Sequence, residues 1–394
     1  MARRIFITVA EVSGDQHAAQ LVRSIRALDP NIEIEGLGGP RMREAGANIL
    51  YETTRAAAMG VGGIGRVVEL LRVFRWLKSA YFIRRPADLQ ICVDSPAMNF
   101  HYARAAKEQG IPVLYYIAPQ LWAWREGRMK KLRKWVDEVA CILPFEQEYF
   151  RRHGVNATFV GHPLFDELPK DRVVDPALKY PNRPAIVGLL PGSRTQEAKL
   201  NFPHLLDVAR RLAQAIPDIS FRVPTLPATD SIVNQILAEH PLLGVDGQPL
   251  VKVCLEQFDQ VVPQCDLCLT VSGTATLHVA AYGVPMIVVY RGSRIFWNLV
   301  ARHLVKTRTF SLVNLLAPER RHIVPEFIPW LGSDGPVFEA ALEMLKSPDK
   351  LADQRGELQK LVRSLDQAGA SNNTARMAIE LMDRKAKPGD PGTT

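Results

Sequence analysis

The sequence predicts an α/β protein: two doubly wound, Rossmann-like parallel-sheet domains facing a cleft, followed by C-terminal helices. Three observations carry this. The chain has 394 residues, enough for two or three domains at roughly 150 residues each. Short β-branched runs alternate with longer helical patterns, which is the signature of strands joined by helical crossovers. The alternation also breaks once and restarts. In order, RIFITVA (4–10), a helix over 15–28 and IEIEGLG (32–38) open the first series. LQICVD (89–94), the amphipathic ARAAKEQG (103–110), IPVLYYIA (111–118), a further helix, EVACILP (138–144) and ATFVG (157–161) continue it. A stretch rich in Pro and charge reads as a linker near 162–183. AIVGLLPGSR (185–194), a helix over 196–216, ISFRVPT (219–225), a second helix, CDLCLTVSGT (265–274), another helix and PMIVVY (285–290) form the second series. The domains expected are 1–165 and 183–335, with C-terminal helices over 336–385 and a disordered tail over 386–394. Helical spacing of Val337, Ala340, Ala341, Met344 and Leu345 supports the third segment.

Composition narrows the function classes. Hydrophobic residues make up 47% and charged residues 23%, the balance of a globular chain rather than a disordered or disulfide-stapled one. No apolar run approaches the ~20 residues of a membrane span. The basic start meets Glu11 without a cleavage site, so no signal peptide is expected and the cytoplasm is the default setting. Five cysteines fit reduced thiols there. The net charge of +8 is unevenly placed: residues 1–170 hold 24 basic and 18 acidic groups, a net of +6, leaving +2 for the remainder. That excess points to an anionic partner for the first domain.

Five motifs carry chemistry. In AEVSGD (10–15), Gly14 lets a sugar or phosphate approach the backbone, and Glu11 or Asp15 binds hydroxyls or takes a proton. A plain helix cap is the competing reading. No dinucleotide fingerprint follows that strand. In LLPGSRTQE (189–197), Gly192 and Ser193 free backbone amides at a helix start and Arg194 stands beside them, a combination suited to a diphosphate. VSGTATLHVAAYG (271–283) repeats the arrangement with Ser272, Gly273 and Thr274. VDSPAMN (93–99) ends a strand on Asp94, a candidate base or helix cap. No metal ligand set is expected, because His and carboxylates do not cluster at ligand spacing and Cys265-x-x-Cys268 lies in a buried strand. The fifth motif, residues 61–85, carries Arg66, Arg72, Arg75, Lys78, Arg84 and Arg85 against Glu69, with Phe74, Trp76 and apolar residues at helical spacing. This describes a basic amphipathic helix at an anionic bilayer, or a sheet-packed helix with a solvated basic face. No nucleic-acid-binding signature accompanies it.

AEVSGD, GLGGPRM (36–42), VDSPAMNF, the run from Tyr115 to Leu164, LLPGSRTQE, SGTATL (272–277) and LVKTRTFSLVNLLA (304–317) together resemble lipid-A-disaccharide synthase. The resemblance covers about 5–330 and implies a two-domain, GT-B-type glycosyltransferase with the nucleotide in the second domain. It implies inverting transfer of a 2,3-diacylated glucosamine from UDP to the 6-hydroxyl of 2,3-diacylglucosamine 1-phosphate, with no cofactor besides the UDP-sugar substrate. Gly192, Ser193, Arg194, Ser272, Gly273 and Thr274 would hold UDP, with His278 where the family carries a Glu suited to the ribose. Asp94, Glu11 and Asp15 are the base candidates, since Ala97 stands in place of the family's second acid. Arg66, Arg72, Phe74, Arg75, Trp76 and Lys78 would meet the acceptor and the anionic inner-membrane surface, placing the protein peripherally on the cytoplasmic side. Nucleic acid is not an expected partner, and a homodimer stays open. Competing readings are a UDP-sugar epimerase on the same fold and a degenerate relative that binds without turnover.

Overall fold

The computed structural model describes residues 3–54, 71–122, 126–169, 181, 183–291, 309–318, 321–365 and 369–386. Arg66 lies outside the described residues, as do most of the expected linker and the tail from 387. The chain forms two units, Met1–Glu167 with Leu365–Thr394, and Leu168–Ser364.

The first unit is built on seven strands: β1 (Arg4–Thr8), β2 (Glu33–Gly38), β3 (Asn48–Glu52), β4 (Leu89–Val93), β5 (Val113–Tyr116), β6 (Glu138–Cys141) and β7 (Ala157–Phe159). They pair in parallel in the order β3-β2-β1-β4-β5-β6-β7. The inner strands are mostly apolar because helices cover both faces; every residue of β4 and β5 is buried. Helix α1 (Val12–Leu28) follows β1, α2 (Pro40–Glu44) follows β2 and α3 (Pro96–Glu108) follows β4; α4 (Pro144–Arg152) follows β6.

The second unit repeats the plan with β8 (Ile186–Leu190), β9 (Ser220–Thr225), β10 (Val251–Leu255), β11 (Leu267–Val271), β12 (Met286–Arg291) and β13 (Glu326–Trp330). Their parallel order is β10-β9-β8-β11-β12-β13. Helices α5 (Thr195–Ala215), α6 (Pro227–Glu239) and α7 (Thr274–Ala281) follow β8, β9 and β11. Cys265 and Cys268 are buried here.

The C-terminal helices divide between the units instead of forming one set over 336–385. Helices α8 (Gly335–Leu345) and α9 (Pro348–Leu365) begin in the second unit, where Val337, Ala341 and Leu345 enter its core. Helix α10 (Ala370–Ala386) returns to the first. Its Ala375, Ala378, Leu381 and Met382 pack with Leu21, Val22 and Ile25 of α1. The Asp166 carboxylate accepts the Gly369, Ala370 and Ser371 amides at 2.6, 3.1 and 2.8 Å, satisfying donors that the helix start leaves open.

Candidate active site

In an open parallel sheet, ligands sit beyond the carboxyl ends of the strands, where neighbouring crossovers run to opposite sides. That point lies between β1 and β4 in the first sheet and between β8 and β11 in the second. The loops there are 9–11 and 94–95 in the first unit, and 191–194 and 272–273 in the second. All four fall on motifs singled out from the sequence.

In the first unit, Asp94 and Ser95 both adopt left-handed backbone, with φ of 49° and 45°. Each costs an L-residue of order 1–3 kcal/mol, so the surroundings must enforce the turn. Asn99, fully buried on α3, does so. Its amide donates to the carbonyls of Thr8 (3.3 Å), Val93 (2.9 Å) and Asp94 (2.7 Å), and its oxygen accepts the Thr8 hydroxyl at 2.7 Å. The Tyr115 hydroxyl donates to the Asp94 carbonyl as well, at 2.7 Å. The Asp94 backbone is thereby fixed while its side chain stays half-buried at the strand end. Glu11 is exposed at the start of α1 and makes no cap hydrogen bond with its side chain.

Asp15 has a different task from the one its motif suggested. It is 2% exposed, and its carboxylate accepts the amides of Gly39 (2.8 Å), Arg41 (3.0 Å) and Met42 (3.3 Å). It caps α2, which has no side-chain cap of its own. Burial pushes its pKa up, against the downward pull of these amides. A carboxylate enclosed and engaged in this way is a structural anchor, not a base for a substrate hydroxyl. Gly39 is required by the same contact: a Cβ there would lie 2.5 Å from Asp15 Oδ2 and 2.4 Å from Thr54 Oγ1.

In the second unit, Gly192 has φ +116°, which turns the chain sharply from β8 into α5. The Ser193 amide donates to Glu197 Oε2 at 3.2 Å, and Arg194 Nη1 donates to Glu197 Oε1 at 3.1 Å. The Arg194 side chain is 67% exposed. Fully buried Asn201, one turn beyond Glu197, accepts the Arg291 amide at 2.8 Å and ties the end of β12 to this helix. Across the switch point, the Ser272 hydroxyl donates to the Phe310 carbonyl at 2.8 Å. Glu326 holds that segment, accepting the Phe310 amide (3.1 Å), the Ser311 amide (3.0 Å) and the Asn314 side-chain amide (2.7 Å). Gly273 and Thr274 are exposed at the start of α7.

His278 sits among aromatic and acidic neighbours. Its ring lies against Phe258 and Tyr282, with centroids 4.4 and 5.6 Å away, and its Nε2 is 2.8 Å from Asp259 Oδ1. The His278 contact, which outweighs burial, lowers the Asp259 pKa. The fold also gathers His204, Asp207 and Asp334, with candidate ligand atoms within 4.8 Å of one another, a juxtaposition invisible in sequence spacing. Arg210 pairs with Asp207 at 2.7 Å and Arg291 approaches Asp334 at 3.6 Å, so the cluster reads as an ion-pair network.

The basic segment is helical from 71 and widens to a π turn at Leu77–Tyr81. Leu77 and Phe82 are buried in the first core, and Phe74 turns inward, 5.5 Å from the Tyr102 ring and 5.9 Å from His101. Phe74 is therefore a packing residue. Lys78 pairs with Glu108 at 2.7 Å. The outer face carries Arg72, Arg75, Arg84 and Arg85 with Leu71, Trp76 and Ile83, the last three 48%, 44% and 60% exposed. No described helix is long and apolar enough to cross a membrane.

Sequence reasoning missed Asn201, Glu326 and Glu146. Glu146 is 1% exposed, accepts the Trp122 indole N–H at 3.0 Å and the Leu143 amide at 3.2 Å, and is pushed up to about 7 by burial. A lone polar residue on an apolar helical face, as Asn201 is between Ala198 and Leu205 at i−3 and i+4, was the available signal.

Solved structures share the fold. A co-structure of S. aureus MnaA with UDP aligns over 100% of both chains at a TM-score of 0.62 and 13% identity. The glycotransferase of kitacinnamycin aligns over 97% of this chain and 100% of its own, at 0.60 and 14%. MurG of Acinetobacter baumannii aligns over 96% and 99%, at 0.55 and 13%. These likenesses define a GT-B-type glycosyltransferase fold. Sequence relatives are much nearer. The lipid-A-disaccharide synthase of Geobacter sulfurreducens is 36% identical over 389 residues, 98% of each chain. That of Anaeromyxobacter sp. (strain K) is 36% identical over 96% of this chain and 97% of its own; that of Coxiella burnetii (strain Dugway) is 31% identical over 96% and 99%. The family model for lipid-A-disaccharide synthetase matches residues 5–381. The chain belongs to the lipid-A-disaccharide synthetase family.

Proposed function

We propose that this protein transfers 2,3-diacylglucosamine from UDP to the 6-hydroxyl of 2,3-diacylglucosamine 1-phosphate, forming the β-1,6 lipid A disaccharide 1-phosphate and UDP. The end-to-end match to named synthases at 31–36% identity carries this reading. The loops at the second switch point support the donor assignment. Amides at the start of the 21-residue α5, with the exposed Arg194 guanidinium beside them, suit a diphosphate whose charge grows as the glycosidic bond breaks. Ser272, Gly273 and Thr274 complete this donor cradle at the neighbouring strand end.

Asp94 is the proposed base. The strained turn fixed by Asn99 and Tyr115 presents its carboxylate at the first switch point, where it would take the proton of the acceptor hydroxyl as that oxygen attacks the anomeric carbon. Glu11, at the adjacent strand end, is the second candidate. Direct attack opposite the departing UDP inverts the anomeric centre. UDP-sugar is a substrate here, and no cofactor enters the proposal.

The face of Arg72, Arg75, Trp76, Ile83 and Arg84 is the proposed contact with an anionic membrane, holding the protein peripherally where acylated substrates reside.

Incubating the pure protein with the UDP-linked diacyl sugar and the diacyl sugar phosphate, then reading products by mass spectrometry, tests the proposal. Disaccharide phosphate is the expected product. Free epimerised sugar, or bound UDP-sugar with no product, would overturn it in favour of the competing readings.

A further inference from the structure

The donor loop carries an anion of its own. Glu197 stands third in α5, and its two carboxylate oxygens accept from the Ser193 amide and the Arg194 guanidinium, at 3.2 and 3.1 Å. These are the two groups that a diphosphate at this helix start would use. The loop is shaped around the carboxylate: a Cβ at Gly192 would lie 2.7 Å from Glu197 Cβ and 2.8 Å from its Oε2. Glu197 is 19% exposed where Arg194 is 67%, so the carboxylate sits at the base of the loop and the guanidinium at its rim. Tyr290, at the end of β12, is close enough for the Glu197 charge to add to the burial that raises its phenol.

We propose that Glu197 competes with the donor's diphosphate for the Ser193 amide and the Arg194 guanidinium, and so sets UDP affinity and the ease of UDP release. The inference rests on the donor reading above. Paired with Glu197, the Arg194 cation is neutralised, and an incoming diphosphate must draw both donors away from a carboxylate. That like charge stays beside the bound diphosphate, lowering its affinity and favouring departure of the product. The plain alternative is that Glu197 only caps the helix, as acidic residues near helix starts commonly do. Capping alone predicts a small loss of thermal stability on substitution and no change in UDP binding.

The test is calorimetric titration of the full chain, and of its Glu197→Gln, Glu197→Asp and Arg194→Ala variants, with UDP and with uridine. Glu197→Gln should bind UDP about tenfold more tightly, by removing one like charge at close range, and uridine with unchanged affinity. Its KM for the UDP-sugar should fall by the same factor. Glu197→Asp, with the carboxylate withdrawn by one methylene, should show a smaller gain in the same direction and stands in if the Gln variant folds poorly. Unchanged or weaker UDP binding in both Glu197 variants, with Arg194→Ala still losing UDP, overturns the competition and leaves Glu197 a cap or a positioning residue for Arg194. Unchanged UDP binding in Arg194→Ala overturns the donor reading and this inference with it.

Discussion

Replacing Glu146 with Gln should flatten one component of the protein's pH-dependent stability. Glu146 is enclosed at the start of α4, and burial outweighs the hydrogen bonds from Trp122 and Leu143, lifting its pKa from 4.5 to about 7. The unfolded chain therefore ionises this carboxyl first. Between pH 4.5 and 7 the folded state binds the extra proton, so stability falls as pH rises through that window and levels off above it. At about 1.4 kcal/mol per pH unit, the loss is about 3 kcal/mol. Gln keeps an oxygen for the indole N–H but does not titrate. Its clash with the Leu143 amide adds an offset that does not vary with pH. Urea unfolding of both proteins from pH 4.5 to 8, followed by Trp fluorescence, isolates the group: wild-type stability minus that of Glu146→Gln should drop by about 3 kcal/mol across the range. A difference that stays flat would refute the claim that burial raises the Glu146 pKa to about 7. Glu146 also anchors Trp122, in the loop beyond β5.

Other substitutions test the remaining assignments. Arg194→Ala should lower kcat/KM for transfer by about 10²–10³ through lost stabilisation of the leaving diphosphate, read from initial rates at varied UDP-sugar. Asp94→Asn should cut kcat by about 10²–10⁴ with donor KM unchanged; if Glu11→Gln shows that loss instead, the base is Glu11. Asn99→Ala removes the amide shared by the Thr8, Val93 and Asp94 carbonyls, leaving the Asp94 carbonyl its Tyr115 donor, and should destabilise the fold by about 3 kcal/mol, seen as a lowered urea midpoint. Neutralising Arg72, Arg75 and Arg84 together should weaken co-sedimentation with anionic vesicles, each charge contributing about 1 kcal/mol; undiminished binding would remove this face from the membrane.

The inner strands and the paired sheets were legible in the sequence, because strands covered on both faces are mostly apolar. The strands it hid are β3, β10 and β13, each at a sheet edge. β13 is partly exposed over its first four residues and β10 carries two exposed ones, so neither reads as a continuous apolar run. The division of the C-terminal helices was hidden too: an amphipathic stripe says that α10 packs, not against what. At the site, the loops at the strand ends were legible because glycines and helix starts mark them. The tasks of individual carboxylates were not. Asp15 and Glu11 stand in one motif, yet one caps α2 through amides 24 to 27 residues away and the other is exposed. Ser272 likewise depends on Glu326 through Phe310, a relay no local motif contains.

The central claim is a single inverting transfer from a UDP-sugar held at the β8–β11 switch point. It is tested most directly by following the reaction with both acylated substrates by proton NMR, reading the anomeric configuration of the product together with the UDP released. One β-linked disaccharide phosphate per UDP is the predicted result. An α-linked product, or UDP released without disaccharide, would contradict it.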